Sequence, residues 1–257
     1  MNLMNYEYKT KPYEHQVKTL EQSCDKPAHA LFLEMGLGKS KILIDNNGML
    51  FLDKKITGAV VVAPKGVLDN WSINEIDRHL PDTIERNVLV WQSNHTQQWT
   101  KDFKSMVEED STGKLNFLLI NVEALATDKG AKHLQEFLAT HDCMLAIDES
   151  TTIKNPKAKR TKNLVKLAPM AKFRRILTGF PITKAPLDLY SQCYFLHPEL
   201  LGYNSYYAFR ARYAITQRRQ MGSHAFDHIV GYQRLDELQE SIKYFSCLLY
   251  TSPSPRD

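Results

Sequence analysis

What this sequence of 257 residues lacks narrows it first. No apolar run approaches the roughly 18 residues that a bilayer-spanning helix needs, and no charged-then-apolar leader opens the chain. A soluble, cytoplasmic protein with no membrane partner is therefore expected. Cysteine is scarce: Cys24, Cys143, Cys193 and Cys247 show no paired spacing of the kind that builds a zinc site or a disulfide framework. A reducing compartment and no structural metal follow as expectations. Residues 1–246 contain no internal repeat and no low-complexity stretch. Charge is nearly balanced at a net +4, too mild to select a partner by itself. With 43% hydrophobic and 24% charged residues, the composition is that of a folded chain long enough for one large domain or two small ones.

What is present is a series of apolar segments that each end in polar residues. The segment at 28–33 reads as a buried strand, followed by Glu34-Met35-Gly36-Leu37-Gly38-Lys39-Ser40 and a helix that starts near Gly38. A glycine loop at a helix N-terminus presents free N–H groups and the positive end of the dipole, which suits a polyphosphate. Lys39 has the reach for the β/γ-phosphates and Ser40 the hydroxyl that such loops use on Mg²⁺. Leu33 stands where the pattern G-x-x-x-x-G-K-[ST] has its first glycine. Read alone, this stretch also fits an ordinary glycine turn capping a helix.

Further apolar strands are expected at 57–64, 87–91, 115–122, 143–149 and 175–179, alternating with helices at 67–80, 97–109 and around Leu134 and Phe137. That alternation predicts an α/β fold: a parallel sheet with helices on both faces and its ligand at the carboxyl ends of the strands. Asp148 and Glu149 end one such strand, where an Asp can hold Mg²⁺ and the adjoining Glu can deprotonate an attacking water. Capping of the next helix is the plainer alternative. Gln16, just after Pro12 at the opening of a helix, has an amide able to accept from and donate to an adenine edge, or simply to face solvent. Lys154, Lys157, Lys159, Arg160, Lys162, Lys166, Lys172, Arg174 and Arg175 form a basic stretch that suits either a DNA-facing strip or a solvated helix face. His224 and His228 have ligand-like spacing but no third ligand, which favours a surface helix. Tyr203, Tyr206, Tyr207 and Phe209 read as packing residues before base-stacking ones.

Taken in order, Gln16, the loop 34–40, Val62-Ala63-Pro64 with Asn70-Trp71, Asp148-Glu149-Ser150 with Ile153-Lys154-Asn155, Leu177-Thr178-Gly179-Phe180-Pro181-Ile182 and Leu187-Asp188-Leu189-Tyr190-Ser191-Gln192 resemble the Swi/Snf-type branch of superfamily-two helicase-like ATPases. The phrasing is similar to bacterial and phage members. The resemblance implies a P-loop, RecA-like lobe over residues 1–200 that takes ATP and Mg²⁺, and a short helical excursion over 201–246 leading to a second RecA-like lobe missing from this chain. It also implies roles. Gln16 reads adenine; Met35, Gly36, Leu37, Gly38, Lys39 and Ser40 cradle the phosphates. Ser40 and Asp148 hold the metal, and Glu149 is the base beside Asp148 and Lys39. Lys65, Trp71, Lys154, Asn155 and Thr178 contact the backbone of double-stranded DNA or couple it to the nucleotide. The chain departs from the family's pattern at Leu33, Thr151 and Phe180. Residues 247–257 resemble a translated sequencing adapter and are expected as an artefact without packed structure.

The leading expectation is the ATP-binding lobe of a DNA-dependent translocase. The alternatives are a strand-separating DNA or RNA helicase, or a nucleotide-binding module without turnover.

Overall fold

The computed structural model describes residues 6–108, 113–182, 184–221 and 224–249. In chain order the elements are α1 (Glu14–Ser23), β1 (Ala28–Leu33), α2 (Lys39–Leu52), β2 (Gly58–Ala63), α3 (Ile76–His79), β3 (Arg86–Val90), α4 (Gln97–Glu108), β4 (Leu115–Asn121), α5 (Asp128–Thr140), β5 (Cys143–Asp148), α6 (Lys159–Leu167), β6 (Phe173–Thr178), α7 (Leu189–Leu196), α8 (Tyr206–Tyr213), β7 (Ala214–Met221), β8 (His224–Tyr232), α9 (Leu235–Lys243) and β9 (Ser246–Leu249). Seven strands form one sheet in the order β3-β4-β2-β5-β6-β1-β9, every neighbouring pair parallel. The expected α/β architecture is the observed one.

The strands read as continuous apolar runs because both faces of the sheet are covered. Side chains alternate between two cores. Ala30, Phe32, Val60, Val62, Leu145, Ile147 and Ile176 point to one, which is closed by α4 through α9. Leu31, Leu33, Val61, Ala63, Ala146 and Leu177 point to the other, closed by α1, α2 and the segment after β2. Strand β1, first in the sheet's sequence, lies between β6 and β9, so the loop after it opens beside those following β5 and β6.

Four expectations need correction. The helix predicted over 67–80 is broken into a 3₁₀ turn, Lys65–Val67, a π-helical stretch, Asn70–Glu75, and α3. The excursion after residue 200 contains α8 and α9 but also an antiparallel hairpin, β7–β8, with a bulge between Ile215 and Thr216. Its sequence signal was the Gly222-Ser223 pair between two runs bearing β-branched and aromatic residues. His224 and His228 consequently lie on a strand, and among the described residues no group of three His, Cys, Asp or Glu side chains could hold a metal. Third, Cys247, Leu248 and Leu249 continue β9 in register with Leu31, Phe32 and Leu33. A parallel edge position is filled through main-chain hydrogen bonds, which ask little of side-chain identity. Residues 250–257 lie outside the described residues. Among the described residues no helix is long and apolar enough to cross a membrane.

The fourth correction concerns the basic stretch. Arg175 is wholly buried in β6 and donates to Ser23 O (2.7 Å), Asn46 Oδ1 (3.1 and 3.2 Å) and Arg174 O (2.8 Å). Burial lowers its pKa to about 10. It is a buried tie between α1, α2 and β6 and cannot contact DNA. Lys159 and Lys172 pair with Asp128 and Asp142 at the surface. Replacing Arg175 with Ala strands Ser23 O and Asn46 Oδ1 and opens a cavity, and is expected to lower stability by about 3 kcal/mol or more. Lys172→Ala, at an exposed pair, should change it by no more than about 0.5–1 kcal/mol. Urea titration of the two variants checks the contrast.

Candidate nucleotide-binding site

The loop from β1 to α2 turns on two left-handed glycines, Gly36 (φ 84°) and Gly38 (φ 76°, ψ 39°). At Gly38 a second constraint applies: an added Cβ would stand 2.2 Å from Gln16 Nε2. Only glycine satisfies both the backbone angle and the packing. The side chain of Gln16 is itself fixed, its Oε1 accepting from Tyr13 N (2.9 Å) and its Nε2 donating to Leu37 O (3.3 Å). His15 Nε2 reaches the same carbonyl at 3.0 Å. The start of α1 therefore grips the loop from beside it. Lys39 Nζ donates to Leu33 O at 2.9 Å and Glu34 O at 3.3 Å, so its ammonium lies over the loop.

These residues border a cleft of about 460 Å³. Gly36, Gly38, Lys39, Ser40 and Lys41 form one side; Thr10, Lys11, Tyr13 and Gln16 form another; Glu75, Arg78 and His79 close it from the π-helical stretch and α3. Lys41, Tyr13, Arg78 and His79 were not picked out from the sequence. Arg78 and His79 carry no sequence signal, because the broken helix before them decides where they point. Lys41 is buried and bonded to Asp45 at 2.8 Å, with Tyr6 and Tyr8 from the N-terminal segment packed over the pair. Burial pushes the Asp45 pKa up to about 6, against the opposing pull of Lys41 and Tyr6.

A second group stands at the ends of β5 and β6. Trp71 Nε1 donates to Asp148 Oδ2 at 3.0 Å, and Glu149 N donates to Asp148 Oδ1 at 3.0 Å. Thr178 Oγ1 donates to Glu149 Oε2 at 3.4 Å and accepts from Phe180 N at 3.2 Å. Glu149 adopts a left-handed backbone (φ 50°, ψ 58°), costly for a residue with a side chain and a recurrent mark of functional positions. Gln192, quoted within a sequence phrase but given no role there, is the buried junction of these loops. Its Nε2 donates to Pro181 O and Asp188 O, each at 2.8 Å, and its Oε1 accepts from Ser150 Oγ at 2.6 Å.

A model of the SNF2-related domain matches residues 15–242. The chain belongs to the SNF2-related domain family. Similar curated proteins include the chromatin-remodeling ATPase INO80 of Saccharomyces cerevisiae, 28% identical over 170 residues, and the helicase SWR1 of Cryptococcus neoformans, 29% identical over 170 residues. The probable ATP-dependent DNA helicase CHR12 of Arabidopsis thaliana is 26% identical over 207 residues. These alignments take in 65%, 66% and 77% of this chain but 11%, 12% and 18% of the relatives, so the chain spans a small part of their length. In fold it is similar to the SWI2/SNF2 ATPase core of Sulfolobus solfataricus in complex with dsDNA (TM-score 0.70, 24% identity), covering 97% of this chain and 46% of that one.

Of the positions expected to act in this SNF2-related domain, Gln16, Met35, Gly36, Leu37, Gly38, Lys39 and Ser40 converge on the cleft or its loop, and Asp148, Glu149, Thr178 and Trp71 form one hydrogen-bonded chain. Trp71 was expected to contact the DNA backbone or to support that contact. Its ring is 2% exposed within the core, so it positions Asp148 and has no nucleic-acid surface to offer. Lys65 and Asn155 are exposed on separate loops, and Lys154 pairs with Asp188 at 3.7 Å.

Burial raises the pKa of Asp148, opposed by the Trp71 indole, the Glu149 amide and Lys39. Burial and the adjacent Asp148 charge raise that of Glu149, opposed by Lys39 and Thr178. A carboxyl whose pKa is raised by folding stabilises the fold while protonated, and that contribution is lost as pH rises through the folded value. Glu149→Gln keeps an acceptor for Thr178 and removes the charge. It should melt higher than the native sequence at pH 7, and the difference should close by pH about 4, near the ordinary glutamate value. Thermal melts across that range check it.

Proposed function

We propose that this chain is the ATP-binding lobe of a DNA-dependent ATPase of the SWI2/SNF2 kind, a motor that moves along duplex DNA by alternately binding and hydrolysing ATP. The observation that carries the reading is the meeting, at the ends of β1, β5 and β6, of a left-handed glycine loop with Lys39 and of the Asp148–Glu149 pair hydrogen-bonded to Trp71 and Thr178. The donor set suits a nucleotide with its metal: free N–H groups at the start of α2, one ammonium, one hydroxyl and one buried carboxylate.

In this reading Gly36 and Gly38 let the loop's amides approach the phosphates, and Lys39 exchanges its two carbonyl partners for phosphate oxygens. Ser40 and Asp148 would hold Mg²⁺, which when bound would supply positive charge to the nucleotide's phosphates. Glu149 takes the proton of the attacking water, and its raised pKa brings it nearer to neutrality, where a general base works best. Thr178 ties that carboxylate to the loop after β6, giving DNA-linked motion of the loop a direct route to the base. Gln16 positions the phosphate loop as well as bordering the base end of the cleft. Lys65, Lys154 and Asn155 are the proposed DNA-backbone contacts, in the cytoplasm of a bacterial or phage-infected cell.

The cation that completes such a site in trans is, in this proposal, an arginine from a second lobe, a contribution on the order of 10³ to 10⁵ in rate. The 46% coverage of the Sulfolobus core supports it. Reading the gene beyond the Ser246 codon tests both this lobe and the adapter origin of residues 247–257.

Two outcomes are expected. Lys39→Ala should weaken ATP·Mg²⁺ binding at least tenfold, about 1.4 kcal/mol, by titration calorimetry; unchanged affinity would place the nucleotide elsewhere. Steady-state phosphate release by this chain should be barely above a Glu149→Gln blank with or without duplex DNA. Strong DNA-stimulated turnover would mean that the site is complete within these residues.

A further inference from the structure

The hairpin β7–β8 has no role in the reading above. From Ile215 to Gln220 and from Ala225 to His228 every described side chain is exposed, so the ribbon stands out from the domain with both faces in solvent. An isolated two-stranded ribbon is marginal by itself. This one is held at its base, where Gln233 N donates to Tyr213 O (2.9 Å), and midway along β8, where Arg210 Nη2 donates to Asp227 O (3.1 Å).

Its two faces differ. Register sets Arg218 opposite Asp227, which offsets charge on one face. On the other, Gln217 stands opposite His228 and Arg219 opposite Phe226, with no acid among these four. Phe226 is 45% exposed, although no core lies beneath it. Between the ribbon and the loop after the Asp148–Glu149 strand runs a groove of about 470 Å³, bordered among others by Asn155, Lys157, Tyr207, Arg210, Asp227 and His228. The Arg210 Nε there is buried without a hydrogen-bond partner. Two cations to one acid, with an amide and exposed aromatic rings beside them, suit a phosphodiester backbone, and a two-stranded ribbon has the width that the major groove of B-form DNA admits.

We propose that β7–β8 is a DNA-binding arm: the Gln217–Arg219–Phe226–His228 face lies against duplex DNA, and the groove beside it takes one strand's phosphates from Lys157 and Arg210. This extends the DNA-dependent reading to a surface apart from Lys65. It also puts a DNA contact, through Asn155, on the same loop that follows Glu149.

The test is binding of a short fluorescein-labelled duplex to the full chain by anisotropy over a salt series. Arg219→Ala, at a solvent-exposed position, should leave the melting temperature and ATP affinity unchanged. It should weaken duplex binding several-fold and lower the slope of log K against log salt by about 1, whereas Arg218→Ala, on the opposite face, should change neither. Lys157→Ala should lower the slope by about 1, and the Arg219→Ala/Lys157→Ala variant by their sum. Native affinity and slope in Arg219→Ala overturn the arm and leave the ribbon to a protein partner. No duplex binding by the native chain overturns both the arm and the DNA-dependent reading, whereas loss of ATP binding alone in Lys39→Ala speaks only to the nucleotide site.

Discussion

Two carboxylates on adjacent residues at the mouth of a buried strand set the terms for the rest of the site. Left alone, Asp148 and Glu149 would repel one another in a medium that already disfavours charge. The structure separates them: a left-handed turn at Glu149 swings its side chain away, the Trp71 indole and a backbone amide hold one carboxylate, and Thr178 holds the other. Trp71 can do this because the helix after β2 is underwound into a π-helical stretch, which turns the indole inward. The same distortion directs Arg78 and His79 to the nucleotide cleft. A single irregular helix thereby serves both halves of the site.

The glycine loop after β1 solves a different problem, that of staying open without collapsing. Glycine at 38 is demanded twice, by backbone angle and by the Gln16 amide against it, and Leu37 O is held by two side chains of α1. Helix α1 is anchored in turn through Ser23 O to the buried Arg175 of β6. Loop geometry therefore depends on a hydrogen-bond path that crosses from α1 to the strand bearing Thr178.

The sheet and the loop residues were legible in the sequence because continuous apolar runs and glycine-lysine-serine punctuation are local signals with direct physical causes. Asp148 and Glu149 were legible for the same reason, at the end of such a run. What escaped was set by tertiary context. Arg175 looked like one of nine basic residues, yet two acceptors from other elements, Ser23 O and Asn46 Oδ1, make it a core residue. Trp71 matched a family position but shows its partner only once β2 and β5 lie side by side. Gln192 joins two loops, and nothing in its own neighbourhood of sequence announces them. The hairpin was missed because the middle of β7 is polar and the apolar residues of β8, Ala225, Phe226, Ile229 and Val230, do not alternate.

The place of β1 has a consequence for synthesis. This strand carries the phosphate loop and emerges from the ribosome before every other strand, yet its two neighbours, β6 and β9, are made more than a hundred residues later. Such pairing is of high contact order, and the loss of chain entropy must be met before the contacts form. The loop after β1 thus waits, flanked by unpaired backbone, until β6 and β9 have been made. The cleft beside it is completed late in the making of this sheet, although the loop residues that border it are among the first to be made.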